Sequence, residues 1–168
     1  MTAESSTIAA ADLLALQRAT DRASVVELVG AYGYYLDTNQ FEAFADLFHE
    51  DATYDIQPDP GLIPLPLAGR DAIVAAMRGA RERTGKAAFP RHIASNVVFL
   101  DQGAAEAATA SFLLVVYTFP DGTHELRRTG TCLDKFRKDG DRWRFSARLM
   151  TMDTAAGPPP VRDESTGL

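Results

Sequence analysis

The sequence predicts an α+β fold, a cone-shaped α+β barrel in which N-terminal helices pack into the concave face of a strongly curved antiparallel sheet. Three observations predict it. Apolar residues recur at helical spacing in the first half, they alternate with period two in the second, and turns rich in Asp and Gly separate the long segments of that second half. Helices followed by a meander of strands is an α+β order, and long twisted strands wrapped on helices leave a blind pocket between the layers.

The Ala-rich start predicts a short helix from about Ala9 to Arg18 with a weak apolar stripe. Thr20 and Asp21 are residue types that cap helices, and Val25, Leu28, Val29, Tyr32 and Leu36 then fall on one helical face. Asn39 and Gln40 break this second helix. "FEAFADLFHE" predicts a further short helix with Phe41, Phe44, Leu47 and Phe48 inward. At "DATYDI" the period changes, with Ala52, Tyr54 and Ile56 alternating against Thr53 and Asp55. "QPDPGLIPLPLAG" holds four prolines and two glycines, so it reads as an irregular loop, and its four large aliphatic residues suit a lid. "RDAIVAAMRGARER" predicts a helix buried through Ile73, Val74 and Met77. Four strands follow, "RHIASNVVFL", "EAATASFLLVVYTF", "THELRRTGTCLDKFRK" and "DRWRFSARLMTMD", joined by "DQGA", "PDG" and "KDGD". In the last strand Trp143, Phe145, Ala147 and Leu149 are expected to face the core. Three segments are expected: a helical extension over residues 1–19, one domain over 20–154, and a Pro- and Gly-rich tail over 155–168.

A chain of 168 residues is long enough to bury one proper core. Its net charge of -6, without a cluster of Lys and Arg among aromatics, speaks against nucleic acid as a partner. No apolar run approaches the roughly 20 residues of a membrane helix, and the N-terminus lacks the pattern of a secretion signal, so a cytoplasmic protein without a membrane partner is expected. The single cysteine, Cys132, reads as a small buried hydrophobe. The three histidines lack the short spacings of a zinc site, and no dinucleotide, phosphate-loop or nucleophile-elbow motif is present. No cofactor and no metal are expected.

His92 carries the chemical interest. By the period of two, His92, Ala94 and Asn96 share one strand face, and the small Ala94 leaves room for a ligand beside them. A helix covering that face would bring Asp37, in its last turn, within reach of His92. A carboxylate accepting a hydrogen bond from one imidazole nitrogen fixes the tautomer and raises the basicity of the other. On spacing alone, a structural histidine and a helix-ending aspartate remain the alternative. Tyr32 could offer its hydroxyl to the cavity, Tyr34 lies on the side of Asp37, and Gly30 and Gly33 permit close approach of a backbone or ligand. Tyr54 and Tyr117 are read as further lining residues. Arg148 either pairs with Asp134 on the neighbouring strand or holds a substrate anion. His49 and His124 read as solvated.

With these residues placed, the chain resembles a SnoaL-like member of the nuclear transport factor two-like superfamily. The marks run from about Ala23 to Asp153: "YGYYLDTNQFEAFADLFHEDATY", "LAGRDAIVAAM", "RHIASN" and "DKFRKDGDRWRFSARL". The resemblance is weak for the reaction, because that superfamily spans dehydratases, ketosteroid isomerase, polyketide cyclases, a dehydrochlorinase and noncatalytic dioxygenase subunits. Asp37 and His92 fall where its dehydratase and dehydrochlorinase branch carries a catalytic pair. Asn96 matches the His-x-x-x-Asn spacing of the dehydrochlorinase, and Tyr32 matches a tyrosine of the bile acid dehydratases. Tyr32 stands where the dehydrochlorinase has lysine, which favours dehydration or isomerisation over dehydrohalogenation.

The expectation is thus a cofactor-independent lyase or isomerase acting on a small hydrophobic molecule of polyketide, terpenoid or steroid type. His92 would be the base, Asp37 its orienting partner, Tyr32 a donor and Asn96 a positioning group. Alternatives are a noncatalytic binding or assembly subunit, and a cyclase or epoxide hydrolase using Asp37. Apolar residues on both faces of "ASFLLVVYTF" suggest a homo-oligomer, dimer or trimer.

Overall fold

The structure, a computed structural model, describes residues 3–84 and 88–154. The expected tail over 155–168 lies outside the described residues. The elements run α1 (Ala3–Asp37), α2 (Phe41–Ala45), β1 (Phe48–Gln57), β2 (Leu67–Ala68), α3 (Arg70–Thr84), β3 (Phe89–Gln102), β4 (Glu106–Thr118), β5 (His124–Asp139) and β6 (Arg142–Met152). They form an open six-stranded sheet of order β2-β1-β6-β5-β4-β3. β3 to β6 are the expected antiparallel meander, whereas β1 lies parallel to β6 and completes the wall behind the helices.

The two helices expected on either side of Thr20 are one. Neither Pro nor Gly interrupts α1 before Gly30, and the capping residue types turn back on the helix instead: the hydroxyls of Thr20 and Ser24 donate to the carbonyls of Leu16 and Thr20. Asp21 faces inward, where Trp143 Nε1, Lys138 Nζ and Gln17 Nε2 all donate to its Oδ1. Residues 10–20 are exposed, with Leu13, Leu14 and Leu16 among them. From Val25 onward the apolar stripe is buried. Asn39, with φ 59°, ends the helix in the left-handed conformation that asparagine tolerates.

α2 is shorter than expected because "FHE" already belongs to β1, yet Phe41, Phe44, Leu47 and Phe48 are all buried. Phe44, Phe48, Phe145 and Phe136 stack in that order, with ring centroids 5.2, 5.3 and 4.9 Å apart, and Tyr32 packs on three of them. In α3, Ile73 and Met77 are buried as expected and Val74 is half-buried.

Besides an irregularity of β1 against β6 between Phe48 and Thr53, four β-bulges interrupt the alternation: between Ser95 and Val98 and at Leu100 in β3, at Arg127 in β5 and at Ser146 in β6. Each inserts one residue and thereby turns the following side chains to the opposite face. In β6, Trp143 and Phe145 point inward as expected, but beyond Ser146 the buried residues are Arg148 and Met150, not Ala147 and Leu149.

Candidate functional site

Between the sheet, α1, α3 and the loop over 58–66 lies an apolar cavity of about 120 Å³. Leu113, Val115 and Met150 floor it, Leu36 and Met77 come from the helices, and Pro60, Leu62 and Ile63 come from the Pro-rich loop. That loop therefore covers the cavity as a lid would, holding Ile63 buried while Leu62 stays partly exposed.

His92 lines this cavity, and Asp37 stands behind it. The His92 Nδ1–H donates to Asp37 Oδ1 at 2.7 Å, and the His92 backbone N–H donates to Asp37 Oδ2 at 2.6 Å. Both carboxylate oxygens are thus occupied by one residue. A carboxylate only accepts, so Nδ1 carries a proton, and in the neutral imidazole it is Nε2 that holds the free lone pair. The Asp37 side chain is 4% exposed and that of His92 20%, so the pair is shielded from water on the carboxylate side. Gly33 makes the approach of α1 to β3 feasible. A Cβ there would overlap the carbonyl oxygen of His92 and lie 3.3 Å from the His92 Cβ.

Tyr32 and Tyr54 form the polar part of the buried wall. Their hydroxyls are 3.0 Å apart, and Tyr54 also donates to Met150 Sδ at 2.9 Å. Burial pushes the Tyr32 hydroxyl up to about 12, against the opposing pull of the Arg148 charge and the Tyr54 hydrogen bond, and burial raises Tyr54 too. Both therefore remain protonated donors near neutral pH.

Arg148 lies behind this wall and outside the cavity. Its guanidinium sits 3.9 Å over the Tyr32 ring, and its Nε is 3.1 Å from Asp134 Oδ1, both residues being buried. Of its two expected roles, the structure shows the pair with Asp134. Burial raises the Asp134 carboxyl to about 6, with Arg148 pulling it down. Cys132 is buried nearby, its thiol pushed up to about 11 by burial.

Two expected site residues lie elsewhere. Asn96 has φ 56° and sits in the β3 bulge, so it is exposed and does not share the His92 face; Val97 and Phe99 point to the core in its place. Tyr34 is 62% exposed, because two residues along a helix rotate it by about 200° from Tyr32. Tyr117 is half-buried and lines the mouth of the cavity. His124 is exposed and bonded to Thr118, while His49 is half-buried with Nε2 3.0 Å from the Arg137 carbonyl oxygen. Among the described residues no group of three His, Cys, Asp or Glu side chains could hold a metal ion. Arg81 and Arg128, which also line the cavity, were not anticipated. Arg81 carried a signal, since it follows Ile73 and Met77 at helical spacing. Arg128 carried one too, since it lies four residues before the buried Cys132 on the same strand face and the pairing between them is unbroken.

A family model described as a SnoaL-like domain matches residues 17–149. Several solved structures share the fold. An NTF2-like protein with a cystatin-like fold from Novosphingobium aromaticivorans is 24% identical with a TM-score of 0.72, over 90% of this chain and 93% of that one. A candidate scytalone dehydratase from the same organism is 22% identical, with a TM-score of 0.68 over 88% and 97% of the two chains. The beta subunit of a candidate aromatic-ring-hydroxylating dioxygenase, also from Novosphingobium aromaticivorans, is 22% identical with a TM-score of 0.65, over 80% and 90%. At these identities the likeness is one of fold. A search of curated proteins finds no match.

Proposed function

The chain belongs to the SnoaL-like family, and from that premise we propose that it is a cofactor-independent lyase or isomerase acting on a small hydrophobic molecule of polyketide, terpenoid or steroid type. One observation carries this reading: Asp37 takes both N–H groups of His92 from outside an apolar cavity that His92 itself lines.

In this reading Nε2 removes a proton from carbon next to a carbonyl or leaving group. The proton passes to the imidazole, and Asp37 stabilises the imidazolium that forms while holding the ring in place. The Tyr32 hydroxyl turns from Tyr54 to donate to the oxygen on which charge develops, in surroundings where few waters compete. Elimination then expels the leaving group, or isomerisation returns the proton to another carbon of the same molecule. Asp37 lies outside the cavity with both oxygens engaged by His92, which favours His92 over Asp37 as the base.

The test is His92→Ala, assayed by mass spectrometry against candidate hydroxylated or enolisable substrates of these classes. Turnover should fall by about 10² to 10⁴ while the fold, followed by circular dichroism, persists. Full turnover in the folded variant would remove His92 from the reaction and leave a binding or assembly module as the better description.

A further inference from the structure

The charged residues around the cavity are one-sided. The chain carries a net charge of -6, yet among the described residues lining the cavity no side chain is acidic, while Arg81, Arg83 and Arg128 are all present. Outside the mouth, Arg127 is paired with Glu125 at 2.9 Å, and Asp153 is held by Thr129 Oγ1 at 2.6 Å. Arginines gathered at the opening of a low-dielectric cavity focus a positive potential on whatever enters.

Two of these arginines have unspent hydrogen-bonding capacity. Arg83 donates to the Leu62 carbonyl, which ties α3 to the lid loop. Arg81 uses Nε on Asn39 Oδ1 at 3.2 Å, but its Nη1 is buried without a hydrogen-bond partner. A buried guanidinium nitrogen left unpaired is costly, and a ligand acceptor would remove that cost. Arg128, half-buried, has no hydrogen-bond or ion-pair partner among the described residues.

The sheet register relates Arg128 to the proposed base. His92 pairs with Val115 across β3 and β4, and Val115 pairs with Arg128 across β4 and β5. The three form one row on the cavity face, so the backbones of His92 and Arg128 are two strand spacings apart, about 10 Å. The row continues the unbroken register that pairs Ser111 with Cys132 and Leu113 with Gly130, and the bulge at Arg127 lies just beyond it.

We infer that Arg128 and Arg81 form an anion subsite at the cavity mouth, and that the natural ligand is an apolar molecule bearing a carboxylate. The planar fork of a guanidinium matches a carboxylate in two parallel hydrogen bonds, which orients the ligand with its apolar body toward His92. The inference rests on the reading of this cavity as a substrate site and narrows the substrate to an acid.

The test is equilibrium binding of 2-naphthoate and its neutral partner 2-naphthamide, measured by isothermal titration on the full chain. Wild type should prefer the acid by about tenfold, Arg81→Gln should weaken that preference, and Arg128→Gln should abolish it, with the melting temperature near that of wild type. Equal binding of acid and amide by wild type, no binding of the acid at millimolar concentration, or an undiminished preference in the folded Arg81→Gln/Arg128→Gln double variant would each overturn the inference. Neither compound can react, so the result is independent of whether His92 is a base. Full turnover in folded His92→Ala together with acid preference would sink the catalytic reading alone.

Discussion

Gly33 of α1 rests directly against the backbone of His92 in β3, with no room for a Cβ between them. The contact sets the distance between helix and strand one turn before Asp37, and so sets the 2.7 Å hydrogen bond between Asp37 and His92. Gly33→Ala would gain helix propensity of up to about 1 kcal/mol, but overpacking against a backbone carbonyl costs roughly 1–3 kcal/mol. The variant is expected to be less stable in urea unfolding. It should also lose turnover, with the hydrogen-bonded His92 Nδ1 proton shifting upfield in the NMR spectrum as the pair separates. An unchanged proton resonance would show that α1 does not set this distance.

Asp37→Asn tests orientation separately from bulk. The amide keeps the shape but offers an N–H, and it competes with the Nδ1–H for the same position, so the opposite imidazole tautomer becomes favoured. Turnover is expected to fall by about 10² to 10⁴, comparable with His92→Ala, and ¹⁵N spectra should report the proton on Nε2. A variant with that tautomer and full turnover would argue against the proposed base.

Tyr32 predicts an alkaline limit on stability. Its hydroxyl is raised from 10.0 to about 12, chiefly by burial, so above pH 10 the unfolded chain releases a proton that the folded one keeps. The stabilising contribution is complete below pH 10 and is lost as the pH rises through about 12, with a size of up to about 3 kcal/mol. Tyr54 acts in the same direction. Thermal melts from pH 8 to 11 should show the wild type falling more steeply than Tyr32→Phe.

The buried pair of Arg148 and Asp134 predicts an asymmetry between single and double variants. Arg148→Met leaves Asp134 without its counterion and removes the cation from the Tyr32 ring, and is expected to cost about 3–5 kcal/mol in denaturant unfolding. Adding Asp134→Leu removes the stranded carboxyl and should recover much of that loss. A double variant no more stable than the single one would mean that Asp134 is satisfied without Arg148.

The arrangement of helices before strands, the hairpin turns and the stripe through Val25, Val29, Tyr32 and Leu36 were all legible in the sequence, because periodicity and turn chemistry are local properties. So were the inward directions of Ala52, Tyr54, Ile73 and Met77. The single helix across Thr20 was not, since the same residue types cap a helix or bond back within one, and only the burial of Asp21 against Trp143 and Lys138 decides between them.

Sequence alone also determined that His92, Asp37 and Tyr32 were the residues to watch. It could not determine that His92 and Asp37 meet, which depends on how closely α1 approaches β3 at Gly33. Nor could it place Asn96 outside the cavity and Arg148 behind it. Asn96 lies in a β-bulge and Arg148 follows one, and a bulge reverses the alternation of a strand at a point chosen by its pairing with a neighbour far away in the chain. A period of two is written in the residues themselves, whereas its phase after a bulge is decided by the sheet.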